Sequence, residues 1–331
     1  MRIALLPGDG IGPEVVGAAR RVLDALVPDA ELSEHAIGYG AYQQCGVALP
    51  EETLQAVRES DAALLGAVTT PIGIPGYRSP VLELRQQLKM NANLRPVRSS
   101  PLPDSRQGVD LLIVRENSEG LYVGRESLSS EGETAIAERV VTRSASERIA
   151  RQAFEIAQQR RGRVTVAHKA NVLRKTCGLF LEAAQRVSSS FPDVLLDDML
   201  VDACMMRLIR QPEDFDVVLT TNLFGDILSD GAAELVGGLG LARSANLGPQ
   251  SAVFEPVHGS APDIAGRGIA SPFATLGALS MLLDHLGHGT QAKVLETGMS
   301  HLLREGLVTR DLGGNRTTQE VVNDLLTLVP G

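Results

Sequence analysis

The stretch that most constrains this chain is residues 219–241, LTTNLFGDILSDGAAELVGGLGL. A β-rich run over 216–221 stops at Asn222, and a helical pattern follows within a few residues, ending at Gly237 and Gly238. On that helix Asp226 and Asp230 stand four residues apart, so both carboxylates project from one face. Two hard oxygen ligands so placed suit a divalent cation such as Mg²⁺ or Mn²⁺. Taken alone, the pair fits better a helix start in which Asp226 is the cap and Asp230 a solvated first-turn acid. The rest of the chain decides between the two.

An apolar run over 2–7 reads as a buried strand, and GDGIGPE (8–14) turns it into a helix reaching about Val27. The spacing G-x-G-x-G is not the G-x-G-x-x-G of a dinucleotide loop, and Asp9 would face phosphates, so a tight strand-to-helix turn is the better reading. Strand-like segments at 31–38 and 62–68 flank a helix starting at Pro50. A Gly/Pro loop, TTPIGIPGYRSP, feeds VLELRQQLKMNANLRP (81–96), read as one helix with Arg85 and Arg95 near its ends. Residues 101–108 form a Pro-rich break and a candidate crossing between domains. Beyond it come a strand at 111–114, an exposed β-arm near 124–143, a helix at 145–161 and a strand at 164–168. A helix at 177–191 and strands at 194–201, 215–221 and 252–257 follow, the last running into the loop HGSAPDIAGRG, and the rest of the last ninety residues reads as helical apart from TRDLGGNRTT. Strands alternating with helices predict an α/β fold with a largely parallel sheet. Ligands in such folds lie beyond the carboxyl ends of strands, where Arg115, Lys169, Asp202, Asn222 and His258 fall.

The 331 residues suffice for two domains or one large one, with cores of Leu, Val, Ile and Ala, since the chain has no Trp. A formal net charge of −9 argues against nucleic acid or an anionic membrane as partner. Three cysteines without metal-ligand spacing fit a reducing compartment. The short apolar N-terminus is no signal peptide, and no 18-residue apolar span exists, so a cytoplasmic protein is expected. Against that acidic background Arg85, Arg95 and Arg115 sit near breaks or strand ends. Guanidinium forks hold carboxylates bidentately, so three of them suggest a substrate with more than one carboxylate. Tyr122 and Lys169 are candidate acid–base groups, and Asp202, Asp226 and Asp230 could bring three carboxylates to one ion.

Eight motifs in order, GDGIGPE, NLRP, VRENSEGLY, AHKAN, VDA, TTNLFGDILSD, EPVHGSAPDIAGRGIA and TRDLGGNRTT, resemble the β-decarboxylating dehydrogenases across essentially the whole chain. That family comprises the isocitrate, isopropylmalate, homoisocitrate and tartrate enzymes. The resemblance implies a two-domain, non-Rossmann fold: 1–99 with 237–331 as cofactor-binding domain, and 100–236 as dimerisation and metal/substrate domain. It implies a homodimer and a metal-dependent, NAD(P)-linked oxidation with loss of CO₂. Arg85, Arg95, Arg115 and Asn171 would bind substrate, and Asp226 and Asp230 the metal. Asp202 and Lys169 would come from the partner subunit, Lys169 to manage the hydroxyl proton, and Tyr122 would protonate the enol carbon. The cofactor would lie on Glu255, His258, Gly259, Ser260, Ala261, Asp263 and Ser271. The acid at Asp263 favours NAD over NADP by repelling a 2′-phosphate. Ser271 stands where the family usually has Asn, which bears on an adenine contact.

For the substrate, RENSEG with Gly120-Leu121 and SPVLELRQQL resembles the homoisocitrate enzymes rather than the RELTGG of isopropylmalate enzymes. Arg78 and Ser79 suit an anionic γ-substituent, and Leu82 stands at a pocket position. Homoisocitrate is therefore expected first, isocitrate second and isopropylmalate third. A noncatalytic regulatory subunit is disfavoured because Tyr122, Lys169, Asp202, Asp226 and Asp230 are all present.

Overall fold

The computed structural model describes residues 1–74 and 76–329. Strand β1 (Arg2–Gly8) carries Ile3, Ala4, Leu5 and Leu6 with no exposed surface, the pattern of a strand covered on both faces. It ends at Gly8 in the left-handed region, and α1 (Gly12–Leu26) follows with a proline in its first turn. The chain runs on through β2 (Glu31–Glu34), α2 (Tyr39–Cys45), α3 (Glu51–Glu59), β3 (Ala62–Ala67) and α4 (Pro80–Gln87). Next come β4 (Ala92–Arg98), β5 (Asp110–Glu116), β6 (Glu126–Leu128), β7 (Ala135–Ala137), α5 (Arg143–Gln158) and β8 (Arg163–His168). The pieces α6 (Thr176–Ser188), β9 (Leu195–Leu200), α7 (Val201–Arg210), β10 (Val217–Thr220) and α8 (Asn222–Glu234) precede β11 (Arg243–Leu247) and β12 (Ala252–Pro256). Helices α9 (Phe273–His285), α10 (Gly289–Arg304) and α11 (Thr318–Leu326) complete the order.

Two compact units result. The first comprises Met1–Leu88, Ser100–Ser105 and the chain from Gly237 onward. Its strands lie in the order β2-β1-β3-β12-β11, parallel except for β11 against β12. Helix α9, apolar all round, is buried along ten of its thirteen residues, which makes it a core helix of this unit.

The second unit comprises Lys89–Ser99 and Arg106–Val236, with strand order β4-β5-β10-β8-β9. Only β4 against β5 is antiparallel. Val97, Leu111, Ile113, Val218, Leu208 and Leu228 meet in its core. β6 and β7 form a two-stranded hairpin apart from the main sheet, every residue of it exposed.

The α/β class is as expected, but four local expectations change. Residues 81–96 are not one helix: α4 stops at Gln87, Lys89 takes a φ of 52°, and Arg95 lies on strand β4. The cause is non-local, because β4 pairs with β5 over seven residue pairs. For the same reason residues 89–99, assigned by sequence to the first domain, belong to the second unit, while Ser100–Ser105 goes to the first. Helices α2 and α7 were not foreseen, nor was β11 within the supposedly helical last ninety residues. The arm is a hairpin over 126–137, and α5 begins at Arg143.

Candidate active site

In the second unit, charged side chains from several elements converge on helix α8. Thr221 is the N-cap of α8, so Asp226 lies more than a turn inside the helix and is not its cap. Instead its Oδ1 accepts from Arg115 Nη1 at 2.6 Å and lies 3.1 Å from Arg95 Nη2, while its Oδ2 accepts from the Tyr122 hydroxyl at 2.6 Å. Asp230, one turn on, accepts from Arg95 Nη1 at 3.0 Å through Oδ1. Burial and the neighbouring Asp226 charge push the Asp230 carboxyl up, against the pull of Arg95.

The three partners come from different elements: Arg115 from the end of β5, Arg95 from the middle of β4 and Tyr122 from a turn. Arg115 leaves β5 fully buried, donating from Nε and Nη2 to Asn222 Oδ1 at 3.1 and 2.7 Å, with its guanidinium 5.3 Å from the Tyr122 ring centre. Arg95 on β4 donates Nε to Asn93 and Nη1 to Ser229, both at 2.7 Å. Tyr122 sits in a single 3₁₀ turn, Leu121–Val123, between Gly120 and Gly124, both of positive φ. Gly225 was not singled out from sequence. A Cβ there would lie 2.6 Å from Arg115 Cγ, so the helix must be bare where the arginine stem crosses it. Asn93, Ser229 and Gly225 carried no sequence signal, because their roles exist only once β4, β5 and α8 are together.

Lys169 follows β8 and donates to Asp202 Oδ1, in the first turn of α7, at 2.7 Å. Asp202 is exposed, and the Lys169 hydrogen bond holds its carboxyl below the ordinary range. The turn carrying Lys169 is braced by His168, whose Nδ1 accepts from the Ala170 amide at 3.0 Å and whose Nε2 faces Asp198 at 2.8 Å. Cys177 Sγ accepts the Lys169 amide at 3.3 Å. Asn171 is exposed. Among the described residues no three His, Cys, Asp or Glu side chains converge as a metal site, so Asp202 does not join Asp226 and Asp230 within one chain.

In the first unit Arg85, on α4, is paired at 2.9 Å with Glu255, on β12, both nearly buried. Asn246 also donates to Glu255 at 2.8 Å. Glu255, expected on the cofactor, thus has its carboxylate held by Arg85 and Asn246. Arg85 Nε is buried without a partner among the described residues. Ser79 is the N-cap of α4 without a side-chain cap, Leu82 is partly buried, and Arg78 is exposed.

On the loop after β12, His258 Nε2 and Ser271 Oγ are buried and unpartnered among the described residues. Burial also pushes His258 down, opposed by the Asp311 charge. Ser260 shares a hydrogen bond with Thr69, Ala261 has a φ of 37°, Gly259 is exposed, and Asp263 is exposed near the loop's middle. Asp9, for its part, accepts the amides of Tyr39, Gly40 and Thr69 at 2.7–2.8 Å. The first glycine turn is the tight strand-to-helix turn that its spacing suggested, from Gly8 at the end of β1 to Gly12 at the start of α1.

The isocitrate/isopropylmalate dehydrogenase family model matches residues 2–325. The chain belongs to this family. An isocitrate/homoisocitrate dehydrogenase of Thermus thermophilus is 51% identical over 320 residues, covering 96% of this chain and 95% of that one. A 3-isopropylmalate dehydrogenase of Methanothermobacter thermautotrophicus is 47% identical, covering 98% and 97%. The crystal structure of isocitrate dehydrogenase from Methylococcus capsulatus superposes with a TM-score of 0.95 at 44% identity, over 99% of both chains. The protein is thus an oxidative decarboxylase of the isocitrate/isopropylmalate/homoisocitrate dehydrogenase type.

Members of this family generally use NAD(P) with Mg²⁺ or Mn²⁺, and the residues fit both groups. Asp226 and Asp230, four residues apart on α8, offer hard oxygens on one helix face, the donor chemistry that suits a divalent cation. The two arginines and two aspartates cancel in charge, so a bound divalent ion would turn the cluster positive and suited to a polyanion. His258 Nε2 and Ser271 Oγ are orphaned polar atoms of the kind a bound dinucleotide satisfies. No helix among the described residues is long and apolar enough to cross a membrane.

Proposed function

We propose that this chain is an NAD-dependent dehydrogenase that converts homoisocitrate to 2-oxoadipate with release of CO₂. The observation that carries this reading is Asp226 held at once by Tyr122, Arg115 and Arg95, with Asp230 one turn beyond. Arg95 and Arg115 bind carboxylates of the malate core, with Arg85 a third cation whose Nε is unsatisfied. Asp226 and Asp230, with Asp202 of a partner subunit, would hold a divalent cation, which when bound would supply Lewis-acid polarisation. NAD supplies the hydride acceptor. Lys169, from that same partner, takes the hydroxyl proton. Tyr122, already donating its hydroxyl hydrogen to a carboxylate, delivers a proton to the carbon left by CO₂ loss. Asn171 adds a contact to substrate. Glu255, His258, Gly259, Ser260, Ala261 and Ser271 would hold the cofactor, and the acid at Asp263 would favour ribose hydroxyls over a 2′-phosphate. The working enzyme is a homodimer of the cytoplasm.

The substrate choice rests on RENSEGLY and on the 51% identical isocitrate/homoisocitrate relative. One observation favours a second reading, 3-isopropylmalate: Arg78 is exposed while Leu82, on α4, is apolar and partly buried. NAD reduction measured on homoisocitrate, isocitrate, 3-isopropylmalate and tartrate separates the two. A site that binds the γ-carboxylate through Arg78 and Ser79 rejects isopropylmalate by roughly 10⁴-fold. One methylene, by contrast, separates isocitrate from homoisocitrate by only about 1–3 kcal/mol. Arg78→Ala should then lower homoisocitrate turnover and narrow the gap. Equal turnover of isopropylmalate by the wild type, or no effect of Arg78→Ala, sinks the homoisocitrate assignment.

A further inference from the structure

The GDGIGPE turn does more than join β1 to α1, and Glu14 is the residue left over by the reading above. Its Oε1 accepts the Ala270 amide at 2.9 Å and its Oε2 the Gly268 amide at 3.2 Å. The Thr318 hydroxyl, at the start of α11, also reaches Oε1 and stands 2.6 Å from the Ala270 carbonyl. The Thr318 amide closes the knot on the Gly268 carbonyl at 3.0 Å. One carboxylate therefore holds the far end of the 258–271 loop. The near end is held by the same turn, where the Ile11 amide donates to the Ser260 carbonyl at 2.9 Å. A Cβ on Gly10 would lie 1.9 Å from that carbonyl oxygen, so the approach requires glycine. Between the two clamps Ile11, Val15 and Ala270 pack together with Ala261 and Ile264.

We propose that Glu14 is a positioning residue that fixes the 258–271 loop for the dinucleotide and so sets its affinity without touching it. This rests on the reading that NAD lies on that loop. The reason is preorganisation: a loop that is ordered only on binding charges its ordering entropy against affinity. If the binding-competent conformation falls to a tenth of the population, the apparent Kd rises tenfold, while chemistry in the filled site is unchanged. Glu14→Ala removes all three acceptor contacts. Glu14→Gln keeps one oxygen for Ala270 and Thr318 but sets an amide NH₂ against the Gly268 N–H, so it should lie between Ala and wild type.

The test is calorimetric titration of NAD into the full chain and its Glu14→Gln, Glu14→Ala and Asp263→Ala variants, alongside steady-state kinetics. The expected result is a Kd, and a KM for NAD, raised tenfold or more by Ala and by about threefold by Gln, with kcat at saturating NAD within twofold. Glu14→Gln preserves volume and keeps the test alive if Ala does not fold. Lower melting temperatures with an unchanged Kd in the Glu14 variants, while Asp263→Ala weakens NAD, would leave Glu14 a packing residue and overturn the inference. Unchanged affinity in all three variants would instead remove NAD from this loop, and the inference with it.

Discussion

Asp230 is the residue whose state is most exposed to experiment. Its folded carboxyl titrates above the ordinary 3.8, because burial and Asp226 outweigh Arg95. Stability contributed by its neutral form is present below 3.8 and is lost as pH rises through the elevated value. A cation needs the ionised form, so the two equilibria oppose each other. Mn²⁺ affinity of the apo-protein should therefore climb with pH through a window that begins near 3.8 and extends above it. Titrating Mn²⁺ at several pH values into wild type and Asp230→Asn measures this. A flat profile in the wild type, or the same slope in the variant, would take Asp230 out of the metal set. Residue identity was the part most legible in the sequence, since Asp226, Asp230, Arg95, Arg115 and Tyr122 do come together. The pairings were not legible, because contacts such as Arg85 with Glu255 or Arg95 with Ser229 exist only once distant strands and helices meet.

Among the elements, α8 combines two opposing demands on Gly225. In an ordinary helix interior Gly→Ala stabilises by about 1 kcal/mol. Here the added methyl would meet Arg115 Cγ at 2.6 Å and Cβ at 2.7 Å, on a side chain pinned by Asn222 and Asp226. Overpacking of that kind costs roughly 1–3 kcal/mol and should win. Gly225→Ala is expected to lower thermal stability and to cut turnover by displacing Arg115; an unchanged or raised melting temperature would mean that the arginine stem can move aside. Elements read well from sequence where the pattern was local, as in β1, α1, α5 and β8. They failed at 81–96, where VLELRQQLKMNANLRP has no local stop and the break is imposed by β5 pairing with β4. Short α2 and α7 escaped because seven and ten residues give little periodicity to read.

For the whole molecule, the decisive fact is that Lys169 and Asp202 pair with each other rather than with the Asp226–Asp230 helix of their own chain. The proposed homodimer, in which Lys169 and Asp202 would serve the active site of a second copy, would account for that placement. Mixing inactive Lys169→Ala with inactive Tyr122→Phe should then restore activity, since one hybrid site would hold both native groups. Absence of complementation under demonstrated subunit exchange would mean that each chain builds its site alone.

The central claim, a cation on Asp226 and Asp230 serving an NAD-linked oxidative decarboxylation, is tested most directly by one assay on the purified chain. NADH and CO₂ are measured together on homoisocitrate, with Mn²⁺, with excess EDTA, and after Mn²⁺ is restored, for wild type and Asp226→Asn. The account predicts equimolar NADH and CO₂, loss with EDTA, recovery with Mn²⁺, and a folded Asp226→Asn protein without turnover under any condition. Full activity in EDTA, or an active Asp226→Asn enzyme, would contradict it.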